Sequence, residues 1–329
     1  MVLAGDIGGT NTRLAFFEGA PDRLISQATE IFPSRDHKDL GEIVKKFIAS
    51  HNHTPAAACF GIAGAVRDGV VETTNLPWIV SAKQLSAELG IEHVSLINDL
   101  EANAHGIALL AESDFVLLSA GIPVRGGNRA LISAGTGLGE SGLLAEKNGG
   151  YRPFPSEGGH ADFAPRNELE IALLRYMLTR FEHVSFERVL SGPGLHNIYD
   201  FLRDTGRAEE PSWLADAIAH GDPSAAIAKS GLEATSQIAV QALDLFTSIY
   251  GAEAGNLALK FTATGGLFVG GGIAPKIIRK LSDPAFLDAF QSKGRASPLL
   301  RDIPVRVITN DKTALLGAGR VAAMALAAS

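Results

Sequence analysis

The sequence predicts an α/β protein organised in two domains. A chain of 329 residues is long enough to bury a large core, and chains of this length often divide in two. Hydrophobic residues make up 46% of the chain and charged residues 20%, with 36 glycines, a composition typical of compact, turn-rich α/β proteins. Short apolar runs alternate with amphipathic ones over the first hundred residues, as they do in a sheet with parallel strands.

The first part of the chain predicts a regular order of elements. Strands are expected where short apolar runs end in turn signals: the run into Asp6, then Leu14–Phe17, Ala56–Ile62 and His93–Asn98. Helices are expected between and after them, over Leu40–Ser50, Ser81–Gly90 and Leu100–Leu110. Asn98 and Asp99 therefore stand where a strand passes into a helix, a place where open α/β sheets often carry functional groups.

The strand pattern restarts at Asp114, which places a domain boundary near residue 110. Further strands are predicted at Phe115–Ser119, Ala130–Ala134, Gly142–Ala145 and Leu267–Val269, with a Gly- and Pro-rich loop at 148–165. One long helix is expected over Gly231–Tyr250, with Ile238, Ala242, Leu245 and Ile249 on its buried face. A helix of small residues, Thr313–Ala328, is expected to pack closely on a sheet.

Two glycine turns predict phosphate binding. In the first, a strand ends at Asp6, the turn contains Gly8, Gly9 and Thr10, and the chain returns as a strand through Asn11 and Thr12. The side chains of Thr10, Asn11 and Thr12 are expected to offer hydrogen-bond donors there. Backbone N–H groups in such a turn bind anions, and the Asp6 carboxylate suits a hydrated Mg²⁺ beside a polyphosphate. An ordinary hairpin turn is the alternative reading of this motif taken alone.

The second turn repeats the first at Gly135, Thr136 and Gly137, with Ser133 in the place of Asp6. Two similar turns in two α/β halves predict a duplicated architecture that binds a nucleotide, with a metal-side carboxylate from one half only. Gly270, Gly271 and Gly272 form a third glycine turn after an apolar strand, which by itself predicts only a strand-to-helix connection.

Four further polar side chains lie next to glycines or at element ends. They are Asn98, Glu157, His160 and Glu187, and together with Asp99 they supply the carboxylates, amide and imidazole that a polyol requires. Phosphoryl transfer to a hydroxyl needs phosphate donors, Mg²⁺ and a carboxylate that accepts the hydroxyl proton, so the residues predict a kinase with Asp99 as base. Taken singly, Asp99 is more typical of a helix N-cap and Glu187 of a surface acid, and His160 fits a structural hydrogen-bonding group.

Several motifs together resemble the bacterial glucokinases of the hexokinase–actin–Hsp70 ATPase superfamily, in the branch without a cysteine-rich zinc motif. The resemblance covers essentially the whole chain, in the order of the family. The motifs that carry it are Gly5–Asn11, Leu96–Leu100, Ala134–Gly139, Phe154–Pro165, Phe186–Gly194 and Phe268–Ala274.

The resemblance implies a two-domain actin-like (ribonuclease H-like) fold, with ATP and sugar in the cleft between a small domain (1–109 and 311–329) and a large one (110–310). It implies phosphorylation of glucose at the 6-hydroxyl, with Asp99 as general base and ATP and Mg²⁺ as cofactors. The implied glucose ligands are Asn98, Asp99, Glu157, His160 and Glu187. The implied ATP site consists of Asp6, Gly8–Asn11, Gly135–Gly137 and Gly270–Gly272, with Mg²⁺ at Asp6 through water, and family members are typically cytoplasmic homodimers.

Two positions depart from the family pattern. Glu140 follows the second phosphate turn where small or apolar residues are expected, and it predicts an acid near the triphosphate that affects the choice of phosphoryl donor. Pro77, in the segment Thr73–Trp78, replaces a polar residue on the sugar side and predicts a marginal change in sugar preference.

Composition argues against other classes of protein. A net charge of −7 without a Lys/Arg run predicts no nucleic-acid surface, and the N-terminus has no basic segment typical of a signal peptide. The C-terminal apolar run is interrupted by Arg320 and is too short for a membrane span, and the single cysteine, Cys59, suits a reducing cytoplasm. The remaining alternatives are a kinase for another hexose or another donor, and a sugar-sensing regulator that has lost catalysis.

Overall fold

The computed structural model describes residues 1–73, 75–147 and 149–328. The chain forms two compact units: unit 1 contains Met1–Ser113 and Asn310–Ser329, and unit 2 contains Asp114–Thr309. Thr74, Asn148 and Ser329, which fall within predicted segments, lie outside the described residues.

Unit 1 is built on a five-stranded mixed sheet. Its strands are β1 (Val2–Ile7), β2 (Asn11–Ala20), β3 (Arg23–Pro33), β4 (Ala57–Ile62) and β7 (His93–Asn98), in the order β3-β2-β1-β4-β7, and β5 (Val70–Glu72) pairs with β6 (Ile79–Ser81) separately. The helices are α1 (Leu40–His51), α2 (Ala82–Leu89) and α3 (Asp99–Gly106). Because β1, β4 and β7 are parallel, Ile7, Ile62 and Asn98 are aligned at one edge of the sheet.

Local sequence explains where the helices of unit 1 begin and end. The Asp39 side chain accepts a hydrogen bond from Glu42 N–H at the start of α1, and Ser81 caps α2 in the same way. Gly90 ends α2 in a left-handed conformation, with φ of 66°, which glycine adopts without a steric penalty. The predicted helix over Leu100–Leu110 is shorter than expected, because a 3₁₀ turn replaces the α-helix from Ile107.

Unit 2 is built on a six-stranded sheet covered by helices. Its strands are β8 (Phe115–Ser119), β9 (Arg129–Ala134), β10 (Leu138–Ala145), β11 (Tyr151–Ser156), β12 (Gly266–Gly270) and β13 (Val305–Ile308), in the order β11-β10-β9-β12-β13-β8. Its helices are α4 (Glu168–Leu178), α5 (Gly192–Asp204), α6 (Ser212–His220), α7 (Pro223–Leu232), α8 (Gln237–Phe261), α9 (Ile278–Leu281), α10 (Pro284–Gln291) and α11 (Ser297–Asp302).

The prediction of one helix over Gly231–Tyr250 is wrong. The structure has two helices there, because α7 ends at Leu232 and Ala234 adopts a positive φ of 53°. Helix α8 then begins at Gln237 and continues to Phe261, eleven residues beyond the predicted end. The predicted buried face is confirmed, since Ile238, Ala242, Leu245 and Ile249 are all buried.

The final helix, α12 (Thr313–Ala328), packs on β1, β4 and α3 of unit 1 as its small residues predict. Gly317 lies directly on the α3 backbone: a Cβ placed there would be 1.7 Å from the carbonyl oxygen of Ala102. A Cβ on Gly106 of α3 would likewise lie only 2.0 Å from the carbonyl oxygen of Thr313 on α12. No helix within the described ranges is long and apolar enough to cross a membrane.

The buried imidazole of His105 predicts an acid-sensitive stability. Its Nδ1 has no hydrogen-bond partner among the described residues, and burial together with the charge of Arg320 lowers its pKa from 6.5 to about 4. The unfolded chain therefore binds a proton at a pH where the folded chain does not, and the free energy of unfolding falls as the pH drops from 6.5 towards 4. The expected slope is at most about 1.4 kcal/mol per pH unit.

Thermal unfolding at pH 4.5 and 7 should therefore differ less in His105→Gln than in the wild type. His220→Gln, at an exposed site on α6, is the matched control and should keep the wild-type difference. An identical pH dependence in all three proteins would contradict this assignment.

Candidate active site

The first glycine turn joins β1 to β2 in the predicted strand–turn–strand arrangement. The N–H of Gly8 donates to the carbonyl of Asn11 at 3.0 Å and so closes the turn. Buried Ser34, which the sequence analysis missed, holds the turn from behind: its Oγ donates to the Gly8 carbonyl at 2.8 Å and its N–H to the Thr10 carbonyl at 2.9 Å. Thr10 and Asn11 remain exposed.

Thr12 was expected to offer a further donor at this turn, and that expectation is wrong. Its side chain is fully buried and lies 3.0 Å from the Ser34 hydroxyl. The alternation of β2 explains the difference, because the side chains of Asn11 and Thr12 point to opposite faces of the strand. The donors of this turn are therefore its backbone N–H groups and the side chains of Thr10 and Asn11.

Asp6 lies at the C-terminal end of β1 in a charged environment. Burial raises its pKa to about 6; Arg13, opposite it on β2, opposes this increase, whereas Asp99 and Asp311 add to it. Arg13 also binds Asp311, with 2.9 Å between guanidinium and carboxylate. A half-buried carboxylate such as Asp6, with the carboxylates of Asp99 and Asp311 nearby, is a ligand of the type that Mg²⁺ prefers. No group of three His, Cys, Asp or Glu side chains within the described ranges forms a metal cluster of its own.

Asn98 and Asp99 lie at the junction between β7 and α3. The Asn98 side chain is the N-cap, since its Oδ1 accepts from Leu100 N–H at 2.9 Å and its Nδ2 donates to the Gly64 carbonyl at 3.1 Å. Asp99 Oδ1 accepts from the same Leu100 N–H at 2.9 Å. The alternative reading of Asp99 as the N-cap is therefore wrong in register, because Asp99 is the first helical residue and Asn98 takes the capping position.

The second glycine turn joins β9 to β10, again in the predicted arrangement. Gly135 N–H donates to the Gly137 carbonyl at 2.8 Å, and Thr136 is exposed at its tip. Glu187 supports this turn from a 3₁₀ helix, accepting from the N–H of Leu138 at 3.0 Å. Glu187 is therefore no isolated surface acid, because one of its carboxylate oxygens orients the turn.

Glu157 and His160 lie on one short loop of unit 2. The loop is a 3₁₀ turn over Gly158–His160, and the carboxylate and imidazole are exposed, with 4.0 Å between Oε2 and Nε2. Gly159 packs against β10: a Cβ there would be 2.0 Å from the Leu138 carbonyl. The loop therefore adjoins the second glycine turn, with both polar side chains directed outward.

A cavity of about 520 Å³ lies beside the second turn. Its walls include Gly135, Thr136, Gly192, His196, Asp222–Ala225, Gly272 and Lys276. Helices α5 and α7 both begin at this wall, and helix N-termini favour anions through their free N–H groups and dipole. Gly271 must be glycine, since its φ is 83° and a Cβ would lie 2.3 Å from the Ala134 carbonyl.

Of the residues that line this cavity, Gly135, Thr136 and Gly272 were predicted from the sequence. His196, Lys276 and the start of α7 were not, although Asp222-Pro223 is a recognisable N-cap followed by proline at the first helical position. A larger cavity of about 670 Å³, lined by Glu170, Arg207 and Asp244 among others, has no glycine turn in its walls, although α4 begins beside it at the N-cap Asn167. The smaller cavity is therefore the candidate nucleotide site.

Glu140 was expected to place an acid near the triphosphate, and that expectation is wrong. Its side chain is 1% exposed and lies against Gly158 and Glu253 inside unit 2. Alternation along β10 turns it away from the exposed tip of the turn. It therefore presents no carboxylate to a bound nucleotide.

The fold and these turns define a class, the two-domain actin-like ATPases and sugar kinases. A solved glucokinase from an Antarctic psychrotroph superposes with a TM-score of 0.85 at 30% identity over 98% of both chains. A glucokinase from Balamuthia mandrillaris in complex with glucose superposes at 0.79 with 23% identity, over 98% of this chain and 93% of that one, which supports the fold.

The family follows from the sequence match. The glucokinase family model matches residues 3–325, and the chain belongs to the glucokinase family, a family of enzymes. A curated glucokinase from Nostoc sp. (strain PCC 7120) is 44% identical, over 98% of this chain and 99% of the relative.

Proposed function

We propose that this enzyme transfers the γ-phosphoryl group of ATP to the 6-hydroxyl of D-glucose, with Asp99 as general base, as the entry step of glycolysis. The observation that carries the proposal is that Asp6, near the C-terminal end of β1, and Asp99, directly after β7, lie at the same edge of the parallel segment formed by β1, β4 and β7. The two carboxylates are close enough for the Asp99 charge to raise the pKa of Asp6. A proton acceptor and a metal-side carboxylate thus lie at one edge, as phosphoryl transfer requires.

The proposed glucose ligands are Asn98, Asp99, Glu157, His160 and Glu187. Asn98 retains one amide N–H and Glu187 one carboxylate oxygen after their hydrogen bonds within the protein, so each has a group left for a sugar hydroxyl. A site built from such groups discriminates against sugars that lack a matching hydroxyl, because its own polar atoms would remain unpaired.

The proposed ATP site consists of the two glycine turns and the cavity beside the second. Backbone N–H groups of Gly8–Asn11 and Gly135–Gly137 would bind the phosphates, and Gly270–Gly272 would lie against the adenosine. Asp6 would hold Mg²⁺ through water, and the bound ion would supply charge neutralisation at the phosphates. In the reaction the glucose oxygen forms the new P–O bond, Asp99 takes its proton, and ADP leaves.

ADP release from Mg·ATP, with and without glucose, tests the proposal in a coupled assay at neutral pH. Glucose-dependent release supports it, and a panel of mannose, fructose and N-acetylhexosamines against ATP, ADP and polyphosphate then defines specificity. Glucose binding without ADP release from any donor would support the sugar-sensing alternative and contradict the proposal.

Ser34→Ala tests the role of the first turn. The substitution leaves the Gly8 carbonyl and the Thr12 hydroxyl without their partner, at a cost of about 1–2 kcal/mol, so the KM for ATP should rise about 5- to 30-fold. The KM for glucose should change less. Ser26→Ala, at an exposed hydroxyl on β3 paired with Thr29, is the control and should leave both constants unchanged. Equal changes in both KM values would contradict a specific role in the phosphate turn.

We further propose a cytoplasmic homodimer. The single cysteine, Cys59, is buried in unit 1 and suits a reducing compartment. Light scattering after gel filtration tests the assembly, and a monomer at assay concentration would contradict it.

A further inference from the structure

Glu140 is an ionisable group that the proposed mechanism does not use. It lies on β10, is 1% exposed, and neither carboxylate oxygen has a hydrogen-bond partner among the described residues. A buried carboxylate without partners is costly in its charged form, so such a group retains its proton to unusually high pH.

The neighbours of Glu140 favour its neutral form. Glu253, on α8, is fully buried and is already compensated by Lys260 at 3.1 Å and by the Asn256 amide at 2.7 Å. Burial, and then the Glu253 charge, raise the pKa of Glu140 to about 8, with Lys260 opposing the shift. Of the two acids, Glu253 has the ammonium and amide contacts that stabilise a negative charge, and Glu140 has neither contact.

The Glu140 carboxyl also lies against the loop that carries Glu157 and His160. A Cβ on Gly158 would lie 2.0 Å from Glu140 Oε2, so the carboxyl occupies the space beneath the Gly158 backbone. Gly158 N–H donates to the Ser156 hydroxyl at 3.0 Å, and Gly159 is packed on the Leu138 carbonyl. Ser156 and Leu138 fill the space on either side of Gly158. The Glu140 carboxyl can therefore reach water only if the loop moves.

We propose that Glu140 is a positioning residue of the Glu157–His160 loop: its neutral carboxyl holds Gly158 in place, and loss of its proton displaces the loop and weakens sugar binding. This inference rests on the proposed function, in which that loop binds glucose. Ionisation of Glu140 at high pH therefore lowers the affinity for the sugar and leaves the chemical step unchanged.

The other groups that face Glu140 have defined roles in this titration. Glu253, Lys260 and Tyr250 come from α8, and burial raises the pKa of Tyr250, so it stays neutral. The residues opposite Glu140 on β9 and β11 are Ile132 and Ser156, which do not titrate. Lys293 borders the cluster through its hydrogen bond to Asn256, and burial lowers the pKa of Lys293 to about 8. Comparison of the wild type with Glu140→Gln separates the titration of Glu140 from that of Lys293.

The first test is the KM for glucose between pH 7 and 9 in the wild type and in Glu140→Gln, an isosteric side chain that cannot ionise. If sugar binds only the protonated form, the wild-type KM should rise about tenfold over this range. In Glu140→Gln it should rise less than about twofold, while kcat and the KM for ATP follow the same pH profile in both proteins. A parallel KM profile for glucose in the two proteins would overturn the inference and leave the proposed function intact.

The second test needs no glucose. Amide hydrogen exchange of residues 156–161 in the wild-type protein, corrected for the intrinsic rate, should show protection at pH 7 that is lost at pH 9. Lys293→Met should behave as the wild type does. Unchanged protection at pH 9 would overturn the inference, whereas absence of glucose-dependent ADP release at pH 7 would overturn the proposed function.

Discussion

Asp99→Asn is expected to lower kcat by about 10²-fold or more while the KM for glucose stays within a few-fold of the wild type. Asn retains the side-chain oxygen that accepts from Leu100 N–H, so the start of α3 should be preserved. Removal of the Asp99 charge also lowers the pKa of Asp6, since that charge raises it, and an ionised Asp6 favours metal binding. A loss of kcat would therefore reflect loss of the proton acceptor.

Glu101→Gln is the matched control for this prediction. Glu101 lies in the same helical turn and its carboxylate accepts from the backbone N–H of Asn98, which Gln can also do through its amide oxygen. Steady-state kinetics should give near wild-type kcat for Glu101→Gln. A full-rate Asp99→Asn enzyme would rule out Asp99 as general base, and an equal loss in both variants would indicate damage to α3 instead.

Gly317→Ala is expected to cost about 1–3 kcal/mol or more in the free energy of unfolding. The new methyl group would lie 1.7 Å from the Ala102 carbonyl and 2.7 Å from Gly106 N, so α12 must separate from α3. Backbone atoms on both sides cannot yield as a side chain does. Because α3 begins at Asp99, the separation should also reduce kcat in the folded fraction.

Gly319→Ala, two residues along the same helix, provides the comparison. Its nearest atoms belong to the side chains of Phe17 and Leu24, at 2.8 and 3.0 Å, which can shift. Urea unfolding monitored by circular dichroism should show a clearly smaller loss for Gly319→Ala. Equal losses would show that helix propensity or chain entropy, rather than contact with α3, decides the effect.

Much of the candidate site was accessible from sequence because its signals are local. The turns around Gly8 and Gly135 are short, glycine-rich and flanked by apolar strands, and both were predicted as strand–turn–strand motifs. The position of Asn98 and Asp99 at a strand-to-helix junction also followed from local pattern. The roles in catalysis and in binding glucose and ATP assigned to these residues remain proposals.

Predictions failed where the outcome depends on contacts distant in sequence. The break between α7 and α8 arises at Ala234, which has a positive φ. The spacing of apolar residues cannot predict that φ. Ser34 became part of the first turn only because β3 returns alongside β2, which brings it to Gly8 from 26 positions away. Nothing adjacent to Ser34 in the sequence indicates that contact.

The sequence by itself determined the α/β class, both glycine turns, the acids at the strand ends and the close-packed C-terminal helix. These depend on apolar periodicity and on residue types with strong backbone preferences, which act over a few positions. Only the tertiary structure decided that Thr12 is buried, that Asn98 rather than Asp99 is the N-cap, and that Glu140 lies beneath Gly158. Each of these depends on which face of an element is covered and by what, and the free energy of burying a polar group is set by those distant neighbours.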